Sequence, residues 1–279
     1  MHRIIVASLA ATSLLALSAC NKNAASNGAA GNAAAPAAVD AISGTWKADL
    51  STVQFDQKPD ELLIKNGQYS CKTCTPPVTV PADGAFHPVS GSKYFDSAAV
   101  KVVDDHTVTR TAKKADRVTG ETTFKVSDDG KTLTGTFTDS TTPNAPPTKG
   151  TFVETRVAPG PAGSHAISGS WKPSKVENIN EEALTVTYKL DGDTLHMSSP
   201  SGQSYDAKLD GTDTPIKGDI GGTTASVKKV GDNSYEETDK RDGKVVNVAT
   251  FTVGADGKMT VTSTDKRNDS TVKYVANKE

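Results

Sequence analysis

Apolar and polar residues alternate along much of this chain with a period of two. In KTLTGTFTD, starting at Lys131, Leu133, Gly135 and Phe137 share one face, while Thr132, Thr134, Thr136 and Thr138 share the other. Successive side chains of a strand point to opposite sides, so this alternation predicts a half-buried antiparallel strand. Turn signals separate such runs. DDGK at Asp128 and ADGK at Ala255 each place Asp-Gly between two strands, where a hairpin needs positive φ. DDHT at Asp104, GDNS at Gly231 and LDGDT at Leu190 punctuate the chain in the same way. The pattern predicts roughly eight or nine short strands in each half of the chain. No stretch has the length or period of a substantial helix, and PDELL at Pro59 makes at most one turn. Sequential hairpins without crossover helices point to an up-and-down meander, and closing it into a barrel removes its exposed edges.

The pattern is written twice. AISGTWK begins at Ala41 and AISGSWK at Ala166. ADGAFHPVSG from Ala82 aligns with LDGTDTPIKG from Leu209, VKVVDDHTV from Val100 with VKKVGDNSY from Val227, and the run from Lys113 with that from Lys240. The offset stays at about 125 residues throughout, which identifies a tandem duplication. Two domains are expected, residues 41–157 and 166–279. The low-complexity stretch APGPAGSHA at Ala158 lies between them, with 158–165 as linker.

The beginning of the chain reads as a targeting segment. His2 and Arg3 precede an apolar run from Ile4 to Ala19 that is too short for a comfortable membrane span, so residues 1–19 are expected to be a signal peptide. LSAC, Leu17 to Cys20, resembles the bacterial lipobox, which implies lipidation of Cys20; the alternative is an ordinary signal peptide with Cys20 incidental. Asn21 rather than aspartate after that cysteine implies, on the same resemblance, passage to the outer membrane, lipid-anchored at its periplasmic face. Residues 20–40, rich in Ala and Asn with interspersed Gly and Pro, lack a repeating apolar face and are expected to tether the folded part.

Composition narrows the partners. A formal charge of −2 from 31 basic and 33 acidic residues leaves no basic stripe for phosphates, so nucleic acid is not an expected partner. Aromatics make up 5%, which fits β structure with modest cores.

Gly44-Thr45-Trp46 and Gly169-Ser170-Trp171 resemble the Gly-x-Trp element on the first strand of the calycins, the lipocalin and fatty-acid-binding protein group. The resemblance implies two lipocalin-like barrels in which the glycine lets the chain bend and the tryptophan plugs one end. It also implies a basic residue from the last strand over each tryptophan, a cation–π contact worth about 1 kcal/mol. Arg156 is the candidate in the first domain; Lys273 or Lys278 is the weaker one in the second.

Cys71 and Cys74 are the most reactive pair. With Cys20 lipidated and an oxidising compartment, a disulfide is expected, closing a loop so short that it contributes only about 2 kcal/mol. A thioredoxin-like role needs a helix N-terminus at the first cysteine to lower its pKa, and Thr75-Pro76-Pro77 prevents an immediate helix. A zinc site recruiting His87 and His106 matches no finger spacing, and Thr214 stands where His87 would be in the second half. The acidic groups Asp104/Asp105, Asp128/Asp129 and Glu236/Glu237/Asp239 read as solvated turn and edge charges rather than a glycosidase pair. No catalytic residue, metal or cofactor is expected. The reading is a non-enzymatic envelope lipoprotein that binds a small apolar ligand or an envelope protein, or serves as a scaffold. A calycin-type protease inhibitor is the alternative, and an enzyme using the Cys71/Cys74 region comes after it.

Overall fold

The computed structural model describes residues 40–279. The expected signal peptide (1–19), Cys20 and nearly all of the tether lie outside the described residues. Twenty strands form: β1 (Gly44–Asp56), β2 (Asp60–Lys65), β3 (Gln68–Cys71), β4 (Val78–Pro81), β5 (Asp83–Pro88), β6 (Ser97–Val102), β7 (Thr107–Lys114), β8 (Arg117–Val126), β9 (Thr132–Asp139) and β10 (Thr148–Pro159) in the first half. The second half contains β11 (Gly169–Glu177), β12 (Thr185–Asp191), β13 (Thr194–Ser198), β14 (Ser204–Lys208), β15 (Thr214–Pro215), β16 (Thr224–Gly231), β17 (Ser234–Arg241), β18 (Lys244–Val253), β19 (Met259–Asp265) and β20 (Ser270–Lys278). One 3₁₀ turn, Glu181–Leu184, interrupts them. Each half thus has ten strands rather than eight or nine, because corners such as Ala82 divide a continuous extended run into two strands, β4 and β5. PDELL is not a helical turn: its last four residues lie in β2.

The strands make two antiparallel, nearly closed ten-stranded barrels, and the expected all-β fold of tandem meanders is what forms. The Asp-Gly hairpins sit where the alternation breaks, with Gly130 at φ 70° and Gly257 at φ 75°. In the second barrel, Ser204 and Lys217 exchange backbone hydrogen bonds (3.2 and 2.8 Å) that bring the two edges together.

The barrels are not the sequence halves. The sheet orders are β4-β3-β2-β11-β10-β9-β8-β7-β6-β5 and β14-β13-β12-β1-β20-β19-β18-β17-β16-β15. The two first strands are exchanged: β1 leaves the first half and pairs with β12 and β20, and β11 pairs with β2 and β10. The expected boundaries 41–157 and 166–279 therefore divide the sequence but not the folded units. The connection Gln57-Lys58-Pro59 explains the local part of this. Pro59 holds Lys58 extended, so the chain runs on into the other barrel rather than turning back. The repeated opening phrase explains the rest, since either first strand carries the same Ile, Gly and Trp and fits either barrel.

Three apolar cores result. One fills each barrel, and a smaller third cluster of Val176, Ile179 and Ala183 packs with Leu50, Phe55, Phe137, Phe152 and Leu184 where the exchanged strands pass. A polar joint adds to the third. Tyr94 packs on the first core while its hydroxyl donates to Asp219 of the second barrel at 2.9 Å, and the Arg241 guanidinium lies 4.8 Å from the Tyr94 ring centroid.

Candidate functional site

The barrels close at one end with the same device. Trp46 and Trp171 are fully buried, and each indole N–H donates to the carbonyl four residues back, that of Ile42 (2.7 Å) or Ile167 (2.8 Å). Both isoleucines are themselves fully buried. The repeated phrase is therefore a self-contained plug: an apolar anchor, a carbonyl aimed at the indole, and a glycine between them. Gly44 has φ +139° and Gly169 φ +143°. A Cβ on Gly169 would stand 2.4 Å from the Ala158 carbonyl oxygen and 2.7 Å from Arg156 Nη1; one on Gly44 would stand 2.4 Å from Lys278 Cε. The glycine clears the path of the basic side chain as well as bending the strand.

That side chain is not the one the sequence order implied. Arg156 lies over Trp171, 3.9 Å from the ring, and Lys278 lies over Trp46 at 5.3 Å. The strand exchange is the reason, because Trp171 pairs with Arg156 and Trp46 with Lys278 in register. Arg156 also donates to the carbonyls of Ser168 (2.7 Å), Ala166 (2.6 Å) and Gly130, whereas Lys278 donates, among the described residues, to the Ala41 carbonyl at 3.4 Å. The lysine closure is the looser of the two.

Above the plugs the two interiors diverge. In the first barrel Asp60 and Glu154 are buried side by side, at 7% and 5% exposure. Burial, and then the neighbouring Asp60 carboxylate, push Glu154 up to about 9, so Glu154 holds its proton and shares it with Asp60. In the second barrel Val186 and Ala276 occupy the corresponding register positions, opposite Trp46 and Met259 where Asp60 and Glu154 face Trp171 and Leu133. The second barrel has its own acid pair on β17. Glu237 and Asp239 point inward, in the same phase as buried Tyr235; the Tyr205 hydroxyl donates to Glu237 at 2.5 Å, and Asn247 donates to Asp239 at 3.3 Å. Burial and Asp239 raise Glu237 to about 8. The first barrel has Arg110 and Ala112 at those positions, facing Val100 and Ala98 as Glu237 and Asp239 face Val227 and Ala225.

Cys71 and Cys74 form the expected disulfide. Its surroundings were not legible in the sequence. The loop between the cysteines is fixed from one side by Thr73, whose hydroxyl donates to Asp60 at 3.0 Å and lies 3.9 Å from Cys71 Sγ. From the other side Arg110 Nη1 lies 3.8 Å from Cys74 Sγ and donates to the Tyr69 hydroxyl at 3.4 Å, with its guanidinium 5.4 Å from the Phe124 ring centroid. Cys74, Thr75, Pro76, Val78, Phe95, Ala98, Arg110 and Ala112 line a recess at this mouth, with room for about one water molecule.

The other candidates stay apart from this centre. His87 bonds to Asp83 at 2.9 Å, and the His106 amide donates to Asp104 at 2.9 Å within an exposed turn. No cluster of three His, Cys, Asp or Glu side chains suited to a metal ion occurs among the described residues. Asp104 and Asp129 accept turn amides, as solvated turn charges do. Glu237 and Asp239 do not fit that description, because alternation along β17 carries them inside. The signal for this was their shared phase with Tyr235, which a carboxylate in an apolar phase normally overrules. In sequence the chain matches no known family model and no curated protein.

Proposed function

We propose that the chain is a lipid-anchored envelope protein with two calycin-like barrels, non-catalytic, that binds or spaces a protein partner. The observation that carries this reading is the filling of both barrels. Trp46, Leu195, Tyr205, Met259 and Phe251 occupy one interior, and Trp171, Tyr69, Leu133, Val100 and Val108 the other, all at 2% exposure or less. A ten-stranded barrel holds a ligand only where side chains leave room. Recognition on such a molecule belongs to its outer surface. Exposed valines recur at matching places on the two halves: Val103 (51%) and Val230 (54%) beside one hairpin, Val118 (36%) and Val245 (42%) beside the next.

The Gly-x-Trp plug with its overlying cation supports the calycin likeness, and Leu17–Cys20 supports the anchor. Native mass spectrometry of the purified chain tests the reading of the interior. The expected result is the bare mass of the protein; a small molecule carried through purification and released on unfolding overturns it. Cys20→Ala tests the anchor, with loss of acyl label and release from the membrane fraction expected.

A further inference from the structure

The disulfide stands among groups that occur only in the first barrel. The second barrel builds the same closed sheet without it: Met197 occupies the register position of Cys71, each facing the residue opposite the plug glycine, Tyr188 or Leu62. Closure of the fold therefore does not require the bond. The charged groups around the sulfurs are private to the first barrel as well. Arg110 stands where the second barrel has Glu237, Asp60 where it has Val186, and Glu154 where it has Ala276. A cation, a hydroxyl and a shared-proton acid pair have been gathered around one four-residue loop.

We propose that Cys71–Cys74 is a thiol-exchange site, which accepts electrons from a dithiol at the mouth of the first barrel and uses Arg110 to stabilise the Cys74 thiolate. This goes beyond the binding and spacing role, and stands whether or not that role holds. Access decides the order of events. Cys74 is partly exposed and borders the recess, whereas Cys71 is buried at 1% exposure. The incoming thiolate attacks Cys74 Sγ, the Cys71–Cys74 bond breaks, and its electron pair passes to Cys71. The Cys74 backbone N–H already points at Cys71 Sγ, 3.1 Å away, and receives that charge. Thr73 Oγ lies 3.9 Å from the same sulfur and donates to Asp60, the neighbour of protonated Glu154. The second thiol of the partner, having given up its proton, then attacks the partner's own sulfur in the mixed disulfide and releases Cys74 as a thiolate beside Arg110. The partner dithiol is oxidised to a disulfide, Cys71 and Cys74 are reduced to two thiols, and the partner's two protons end on them or in solvent. A cation beside a thiolate favours the ionised sulfur, and a thiolate that is easily formed is also easily displaced.

The probe is dithiothreitol acting on the folded full-length chain, followed by iodoacetamide alkylation at pH 6.5 and peptide mass spectrometry. The expected result is complete reduction at millimolar dithiothreitol with far-ultraviolet circular dichroism unchanged, and alkylation of Cys74 about tenfold faster than of a cysteine in an unstructured peptide. Arg110→Gln is expected to remove that tenfold, and Arg110→Lys to keep most of it. Should Arg110→Gln fail to fold, the unsubstituted chain and Arg110→Lys still decide the matter. Reduction only in denaturant, or a Cys74 rate equal to that of the free peptide, overturns the proposal.

Discussion

The two barrels share a topology, a plug and most of their turns, yet their interiors differ in kind. The first contains a cation, a disulfide and an acid pair, Asp60 on β2 and Glu154 on β10, the two strands that flank β11; the second has Glu237 where the cation stands, Met197 in place of Cys71, and valine and alanine on the two strands that flank β1. The comparison teaches which positions make the fold. Plug tryptophan, isoleucine carbonyl, glycine and overlying base recur in both barrels, so they belong to closure. The ionisable interior positions differ freely, so they belong to whatever each barrel does separately.

The strongest way to break the comparison is to remove one plug. Trp46→Ala should cost about 3–5 kcal/mol, and the exchange dictates where: amide hydrogen exchange should accelerate around Leu195, Phe251 and Met259, not around Leu133. Trp171→Ala should do the reverse. If each substitution instead loosened the barrel of its own sequence half, the strand exchange would be wrong.

The plug glycines should separate the two closures by a smaller margin. Both sit at positive φ, and strain of that kind costs about 1–3 kcal/mol. Gly169→Ala should be the more damaging, since its Cβ meets a backbone oxygen, while that of Gly44→Ala meets the far end of a flexible lysine. Thermal melts of the two variants compare them directly.

The acid pairs set a pH dependence whose sign follows from their protons. Glu154 and Glu237 have folded values of about 9 and about 8 against an ordinary 4.5. The folded chain therefore holds more protons than the unfolded one, and stability falls as pH rises from about 4.5 through those values. The melting temperature should drop by several degrees between pH 5 and pH 9. Glu154→Gln should flatten this for the first barrel and Glu237→Gln for the second, as followed by hydrogen exchange in each. A melting temperature that held steady or rose over that range would show that the pairs are not buried as described.

The smallest effect concerns the bases over the plugs, each contact worth about 1 kcal/mol. In a Trp46→Phe background Trp171 is the one remaining tryptophan, and its emission is followed with excitation selective for tryptophan. Arg156→Met should shift that emission, while Lys278→Met should leave it unchanged; the opposite response would return each tryptophan to its own half.

Much of this architecture was legible in the chain itself. Period-two alternation, Asp-Gly turns and a phrase written twice determine an all-β tandem repeat, because strand periodicity and positive φ are local properties of a few residues. The plug was legible for the same reason, as was the disulfide between cysteines three positions apart. Two things were not. The exchange of first strands leaves no local trace: β1 and β11 carry the same plug, so pairing energy alone does not say which barrel each enters. The chemistry of the interior depended on register between strands far apart in sequence, which brings Arg110 to Cys74 and Asp60 to Glu154. The sequence by itself determined that there would be two plugged barrels. Only the tertiary structure decided which half plugs which barrel, and which charges are shut inside, because those outcomes are settled by contacts between segments that no short stretch of the chain contains.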